Sequence, residues 1–359
     1  MVKMKRVWQF GAVSLASMVL LAGCSSKSNK EGQATASTGA VGLSVKSGVY
    51  VVPDGKKASD SKKYLALNIK IDNKTKKALS VSSYDMSLYD KDGNKMADTS
   101  VYDDDNGFQE LESGNISGGK STTGYVVFNV QKGQEYELHY KGNDGEEKQK
   151  DVKVKIDADK YPDHTKQMTK LAKEYVDQVF LGTKADDKAA LTNDLQKEHD
   201  DFKTAFAERL GKQFDNYKPS TAELQKVVTS FNQINAKKAT VEYSVAEMLP
   251  KAAIIYVKSE VINFDDVDFE AIIDDFTDKH EDKYDDYEKA TQDAEKYLLQ
   301  QLPTKFESAK VSTPEYMDGE GYKVKLVKEK GKWTIDSEDS SDNYDFGELQ
   351  TAFMGGLDD

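Results

Sequence analysis

Apolar and polar positions alternate with a period of two through one stretch of the chain, then switch to a period near 3.6. From Tyr64 to Ile71 the apolar residues Leu65, Leu67, Ile69 and Ile71 share one face, and Asp72-Asn73-Lys74-Thr75 reads as a turn. Tyr84, Met86 and Leu88 alternate next, and Asp90-Lys91-Asp92-Gly93-Asn94 carries a hairpin signal. Thr123 to Val130, Glu135 to Tyr140 and Val152 to Ile156 complete a set of short strands without helical periods. Such a set predicts an all-β sandwich over residues 42–157.

The period changes after Ile156. Met168, Leu171, Tyr175, Val179 and Phe180 form one helical stripe, and Leu191, Leu195, Phe202, Phe206, Leu210 and Phe214 form a second. Ser220 and Glu223 are spaced as a capping box ahead of a third stripe, Leu224 to Ile234. Strands are predicted at Lys238–Val245 and Ala252–Phe264, rich in Val, Ile and Tyr. One long acidic helix is predicted over Asp268–Gln301, ended by Pro303, followed by strands at Lys305–Val311, Gly321–Glu329 and Lys332–Asp336. Helices mixed with antiparallel strands predict an α+β domain over residues 161–336. The polar, acidic stretch 337–359 reads as a tail, disordered by default, with one short helical stretch at Phe346–Met354 that could dock on the domain or bind a partner.

The first residues change the picture from fold to location. Lys3, Lys5 and Arg6 precede a mostly apolar run from Val7 to Leu21, short for a transmembrane helix and suited to a signal peptide over residues 1–23. Leu21-Ala22-Gly23-Cys24 resembles the bacterial lipobox. That resemblance implies cleavage before Cys24 and a diacylglycerol on its thiol, which leaves the protein on the outer face of the membrane. The chain has one cysteine, so no disulfide within it is possible, and lipidation consumes a thiol that would otherwise be exposed. Residues 24–41 are small and polar and read as a flexible tether.

Charge then excludes partners. The net charge is −13, which argues against nucleic acid, since that needs a basic footprint. Arginine occurs only at Arg6 and Arg209, so an arginine-built phosphate clamp is not expected. Gly114-Asn115-Ile116-Ser117-Gly118-Gly119-Lys120-Ser121 fits the phosphate-loop pattern, but a strand is predicted after it where a helix is needed, so no nucleotide is expected.

The run Tyr64 to Asn94 followed by Ile116 to Val130 resembles the immunoglobulin-like domain of Gram-positive lipoproteins, a type similar to mycobacterial immunoprotective extracellular antigens. The later region resembles, in element order and acidity, an uncharacterised lipoprotein domain that follows it. Its closing hairpin, Gly321 to Asp336, is similar to that of cone-shaped folds, which implies an α+β domain with helices packed on a curved, cone-like antiparallel sheet. No catalytic residues are carried over by these resemblances.

Candidate chemistry is sparse. Asp103 and Asp105 are candidate ligands for a hard cation, although the calcium-loop spacing fails around them. Asp278, Asp282 and Asp286 stand at i, i+4 intervals on the predicted long helix and are a second candidate metal face. A solvated acidic surface is the expectation for both, and the metal site is the alternative. The histidines His139, His164, His199 and His280 show no metal-ligand spacing. No catalytic constellation and no cofactor is read. The expectation is a lipid-anchored binding protein of the cell envelope, whose partner is a protein, peptide or wall polymer. An envelope hydrolase and a transport-associated solute receptor are the alternatives.

Overall fold

The structure, a computed structural model, describes residues 32–57, 59, 62–101, 103, 108–142, 151–184, 191–280, 283–338 and 340–358. The chain opens with β1 (Ala34–Ser37), β2 (Val41–Val51), β3 (Lys63–Asn73), β4 (Leu79–Val81) and β5 (Met86–Asp90). It continues through β6 (Gly114–Ile116), β7 (Ser121–Val130), β8 (Glu135–Tyr140) and β9 (Val152–Asp157). Among the described residues these form an antiparallel sheet in the order β1-β2-β3-β7 and a second in the order β5-β8-β9, with β4 and β6 paired beside them. The inward faces meet in one core. Leu43, Leu65, Leu67, Ile69 and Ile71 from the first sheet pack with Leu88, Leu138 and Val154 from the second. Strict alternation in β8 and β9 produces this, because successive side chains leave a strand on opposite faces.

The expected tether ends too late. Residues from Ala34 already pair, Ala34 with Val45 and Ser37 with Gly42. Ala34 is buried. Small residues suit this edge strand, so a composition that looks like a linker forms β1. The signal peptide and Leu21 to Cys24 lie outside the described residues.

The second part holds α1 (Thr165–Tyr175), continued by a π turn over Val176–Phe180, then α2 (Leu195–Gly211) and α3 (Thr221–Lys238). Next come β10 (Thr240–Met248), β11 (Ala252–Ile262), α4 (Phe269–His280), α5 (Tyr287–Ser308), β12 (Val311–Ser312), β13 (Tyr322–Glu329), β14 (Lys332–Ile335) and α6 (Tyr344–Phe353). The sheet runs β10-β11-β13-β14, with β12 paired to β11. The expected capping box starts α3: Ser220 Oγ accepts from Glu223 N, and Glu223 Oε2 accepts from Ser220 N at 2.9 Å. Lys330 at φ 49° and Gly331 at φ 84° make the tight turn between β13 and β14.

Three expectations fail here. The long acidic helix is two helices, α4 and α5, and Asp286 caps the second by accepting from Glu288 N and Lys289 N. Pro303 lies inside α5, because Leu299, Leu302 and Phe306 are buried on either side and hold the helix through the lost hydrogen bond. Lys305 to Ser308 are therefore helical, and only Val311–Ser312 is strand. The acidic tail is not a tail: Phe346, Leu349 and Phe353 on α6 are fully buried. Arg209 ties it down with Nη1 bonds to Thr351 Oγ1 (2.8 Å) and Leu357 O (3.0 Å). The interior is filled by ring contacts running from Phe353 through Phe180, Phe202 and Phe206 to Phe231 and Phe264.

Candidate functional site

The two parts meet along a built seam. Val52 and Met248 exchange both backbone hydrogen bonds, at 2.9 and 2.8 Å. Leu249, the next residue, is buried among Val51, Tyr64, Phe108 and Val127 on the outer face of the first sheet. Lys63 Nζ meets Asp163 Oδ2 at 3.0 Å, and Asp163 Oδ1 accepts from Thr165 N and Oγ1 at the start of α1. Burial alone would raise the Asp163 carboxyl, but the bonds from Thr165 and Lys63 outweigh it and hold it below the usual range.

The segment 158–163 crosses this seam and clamps the start of the fold. Tyr50 OH donates to Ala158 O at 3.0 Å, and Tyr50 N to Pro162 O at 3.0 Å. Tyr161 OH donates to Gly32 O at 2.8 Å. Its ring lies flat against two glycines: a Cβ on Gly32 or on Gly48 would stand 2.6 Å from a ring carbon. Gly32 also has φ +71°, a conformation other residues rarely adopt. Burial pushes the Tyr161 hydroxyl up to about 12, with Asp157 adding to it.

A cleft of about 400 Å³ opens beside this clamp, between Gly32–Ala34, the end of β5, the start of β8 and the end of β9. Its rim carries four carboxylates, Asp90, Glu135, Glu137 and Asp157, and three amines, Lys91, Lys155 and Lys160. Alternation in β8 and β9 turns Glu135, Glu137 and Lys155 away from the core, and pairing sets Glu137 opposite Lys155. Asp90 is locked by its turn: Oδ1 accepts from Asp92 N and Asn94 N, and Oδ2 from Asn94 Nδ2. The Asn94 bonds hold its carboxyl below the usual range. Burial acts to raise Glu137, yet His139 Nε2 at 2.6 Å and Lys153 Nζ at 3.4 Å bring it below the usual range. Tyr136 forms the wall toward a second hollow of about 450 Å³, and its hydroxyl is fixed by Gln131 N at 2.7 Å. Chemically, this is a cleft with both signs of charge on its rim, of which Asp90, Glu137 and the Asp157–Lys160 pair at 3.2 Å are held in place.

The residues singled out in the sequence are not brought together. Asp103 lies in the first domain, bridged to Phe108, and Asp105 lies outside the described residues. Asp278 is on α4, Asp286 caps α5, and Asp282 lies outside the described residues, so the expected single metal face is corrected to two separate helices. Among the described residues no group of three His, Cys, Asp or Glu is placed to hold a metal ion. His199 Nδ1 and His280 Nδ1 each face a backbone carbonyl, of Val179 at 2.7 Å and of Phe276 at 2.8 Å. The phosphate-loop-like run forms β6, a turn and the start of β7. Sequence reasoning missed the cleft. Opposite charges on neighbouring strands were the available signal, but nothing in the pattern placed Gly32 beside them.

Residues 33–152 match the family model of a domain of unknown function, DUF4352, and residues 159–354 match that of another, DUF5105. The chain is similar to the uncharacterized lipoprotein YcdA of Bacillus subtilis (strain 168), 28% identical over 360 residues that cover 94% of this chain and 95% of that protein. The crystal structure of that lipoprotein, ycdA, has the same fold, with a TM-score of 0.66 at 23% identity, covering 91% of this chain and 99% of that one.

Proposed function

The chain belongs to the family of the domain of unknown function DUF5105, and from that premise we propose that it is a lipid-anchored, extracytoplasmic binding protein. The anchor is a diacylglycerol on Cys24, placed by Leu21, Ala22 and Gly23, and the protein stands on the outer face of the membrane. Similarity to a Bacillus lipoprotein over nearly the whole chain supports this reading. The binding surface is the charged cleft beside Gly32. One observation carries the choice: this cleft sits beside Gly32, whose carbonyl Tyr161 holds, and its Asp90 and Glu137 are held by bonds of their own, whereas the interior of the second domain is filled by phenylalanine rings. A mixed-charge cleft with part of its rim already held suits recognition, because the held groups need no reordering on binding.

Cell fractionation of wild type and Cys24→Ser tests the anchor. Wild type is expected in the membrane fraction and the variant in the medium, or stalled as the unprocessed chain. A variant that is cut normally and stays on the membrane sinks the proposal.

A further inference from the structure

The position of the cleft relative to the anchor limits what can reach it. Seven residues, Ser25 to Glu31, separate Cys24 from Gly32. Fully extended, that length spans roughly 28 Å. Gly32 cannot drift from the fold, because Tyr161 OH holds its carbonyl at 2.8 Å and β1 is paired from Ala34 onward. Gln33 is exposed and lines the cleft itself. The cleft is therefore confined to a layer next to the bilayer, given the lipid anchor on which this inference rests.

The charges narrow the ligand further. Asp157 and Lys160 pair at 3.2 Å and offset each other, which leaves three carboxylates that repel a uniformly anionic polymer and two lysines that repel a uniformly cationic one. Two signs side by side fit a polypeptide that carries both. We propose that the cleft binds the extracytoplasmic juxtamembrane segment of a membrane-spanning protein, a mixed-charge peptide presented close to the bilayer. The short connection to Cys24 acts as a ruler that keeps the cleft at that height.

The test uses the full chain in living cells, with a photoreactive amino acid at Gln33 or Lys155 and, as control, at Tyr287, which is exposed on α5 far along the chain. A second version carries about twenty Gly and Ser residues inserted between Ser26 and Lys27. The expected result is a covalent adduct with a polypeptide of the membrane fraction from Gln33 and Lys155 and none from Tyr287. Lengthening lowers its yield roughly sevenfold, because effective concentration falls as about the −3/2 power of connection length. An adduct whose yield ignores the insertion overturns the proposal. So does an adduct that a wall-degrading enzyme removes, or the absence of any adduct while the chain stays membrane-bound. If the wild-type chain is not membrane-bound, the anchor reading falls and this proposal with it, so the two failures are told apart by the same fractions.

Discussion

Ser259 on β11 is fully buried, and its hydroxyl meets no hydrogen-bond partner. Asn235, also buried, instead accepts from Ile262 N at 3.1 Å. The two residues separate the cost of a polar group from its use. Ser259→Ala is expected to leave the urea midpoint unchanged or raise it, since it removes a desolvated group without orphaning another. Asn235→Ala leaves the Ile262 amide buried and unpaired, and is expected to lower stability by about 1–3 kcal/mol in the same titration. Asp163 gives a pH signature. Its folded pKa is depressed below the ordinary value near ~3.9, so its ionised form contributes stability above about pH 4. That contribution disappears as pH falls through the folded value. Asp163→Asn is expected to be less stable than wild type at neutral pH, with the gap closing in acid; urea melts across the range check the sign.

At the scale of elements, α6 decides whether the end of the chain is tail or core. Four of its ten residues, Asp345, Glu348, Gln350 and Thr351, are polar, yet Phe346, Leu349 and Phe353 fall on one face and are fully buried. Phe353 stacks on Phe180 with centroids 5.2 Å apart. Phe353→Ala is expected to cost about 3–5 kcal/mol, the usual price of emptying an aromatic site in a core. Tyr344→Ala, on the same helix but 62% exposed, should stay within about 0.5 kcal/mol. Thermal melts of the pair distinguish a docked helix from a dispensable one, and equal effects would show that α6 does not seal the core. The split of the long acidic helix has the same lesson. Asp286 serves as an N-cap for α5, a role that ends one helix and begins another where charge spacing alone suggested continuity.

The whole molecule is two cores joined by a seam, and we propose that the boundary between the units falls at residues 158–160. Leu249 belongs by sequence to the second unit and packs into a cluster of the first. Leu249→Asp would bury a carboxylate among apolar groups, which disfavours the joined state more than either unit. The variant is expected to melt in two transitions where wild type melts in one, and to show a larger radius of gyration by solution scattering. A single transition with unchanged radius would mean that the Val52–Met248 pairing and the Tyr161 clamp hold the seam without it.

The order of strands and helices was readable in the amino-acid sequence because it depends on local periods. Alternation marked β3, β7, β8 and β9, the 3.6-residue stripes marked α1, α2 and α3, and Ser220 with Glu223 marked a helix start. The sandwich followed by an α+β domain came from the same local information, and Leu21 to Cys24 as a proposed anchor site came from the lipobox resemblance. Tertiary contacts decided the rest. Small residues became β1 because β2 offered an edge, Pro303 stayed helical because Leu302 and Phe306 were buried, and α6 became core because phenylalanines of other helices waited for it. The cleft was decided the same way. Its charges are on the strands for any reader to see, but their meeting with Gly32 depends on Tyr161, 129 residues away along the chain, and no local period encodes a contact at that separation.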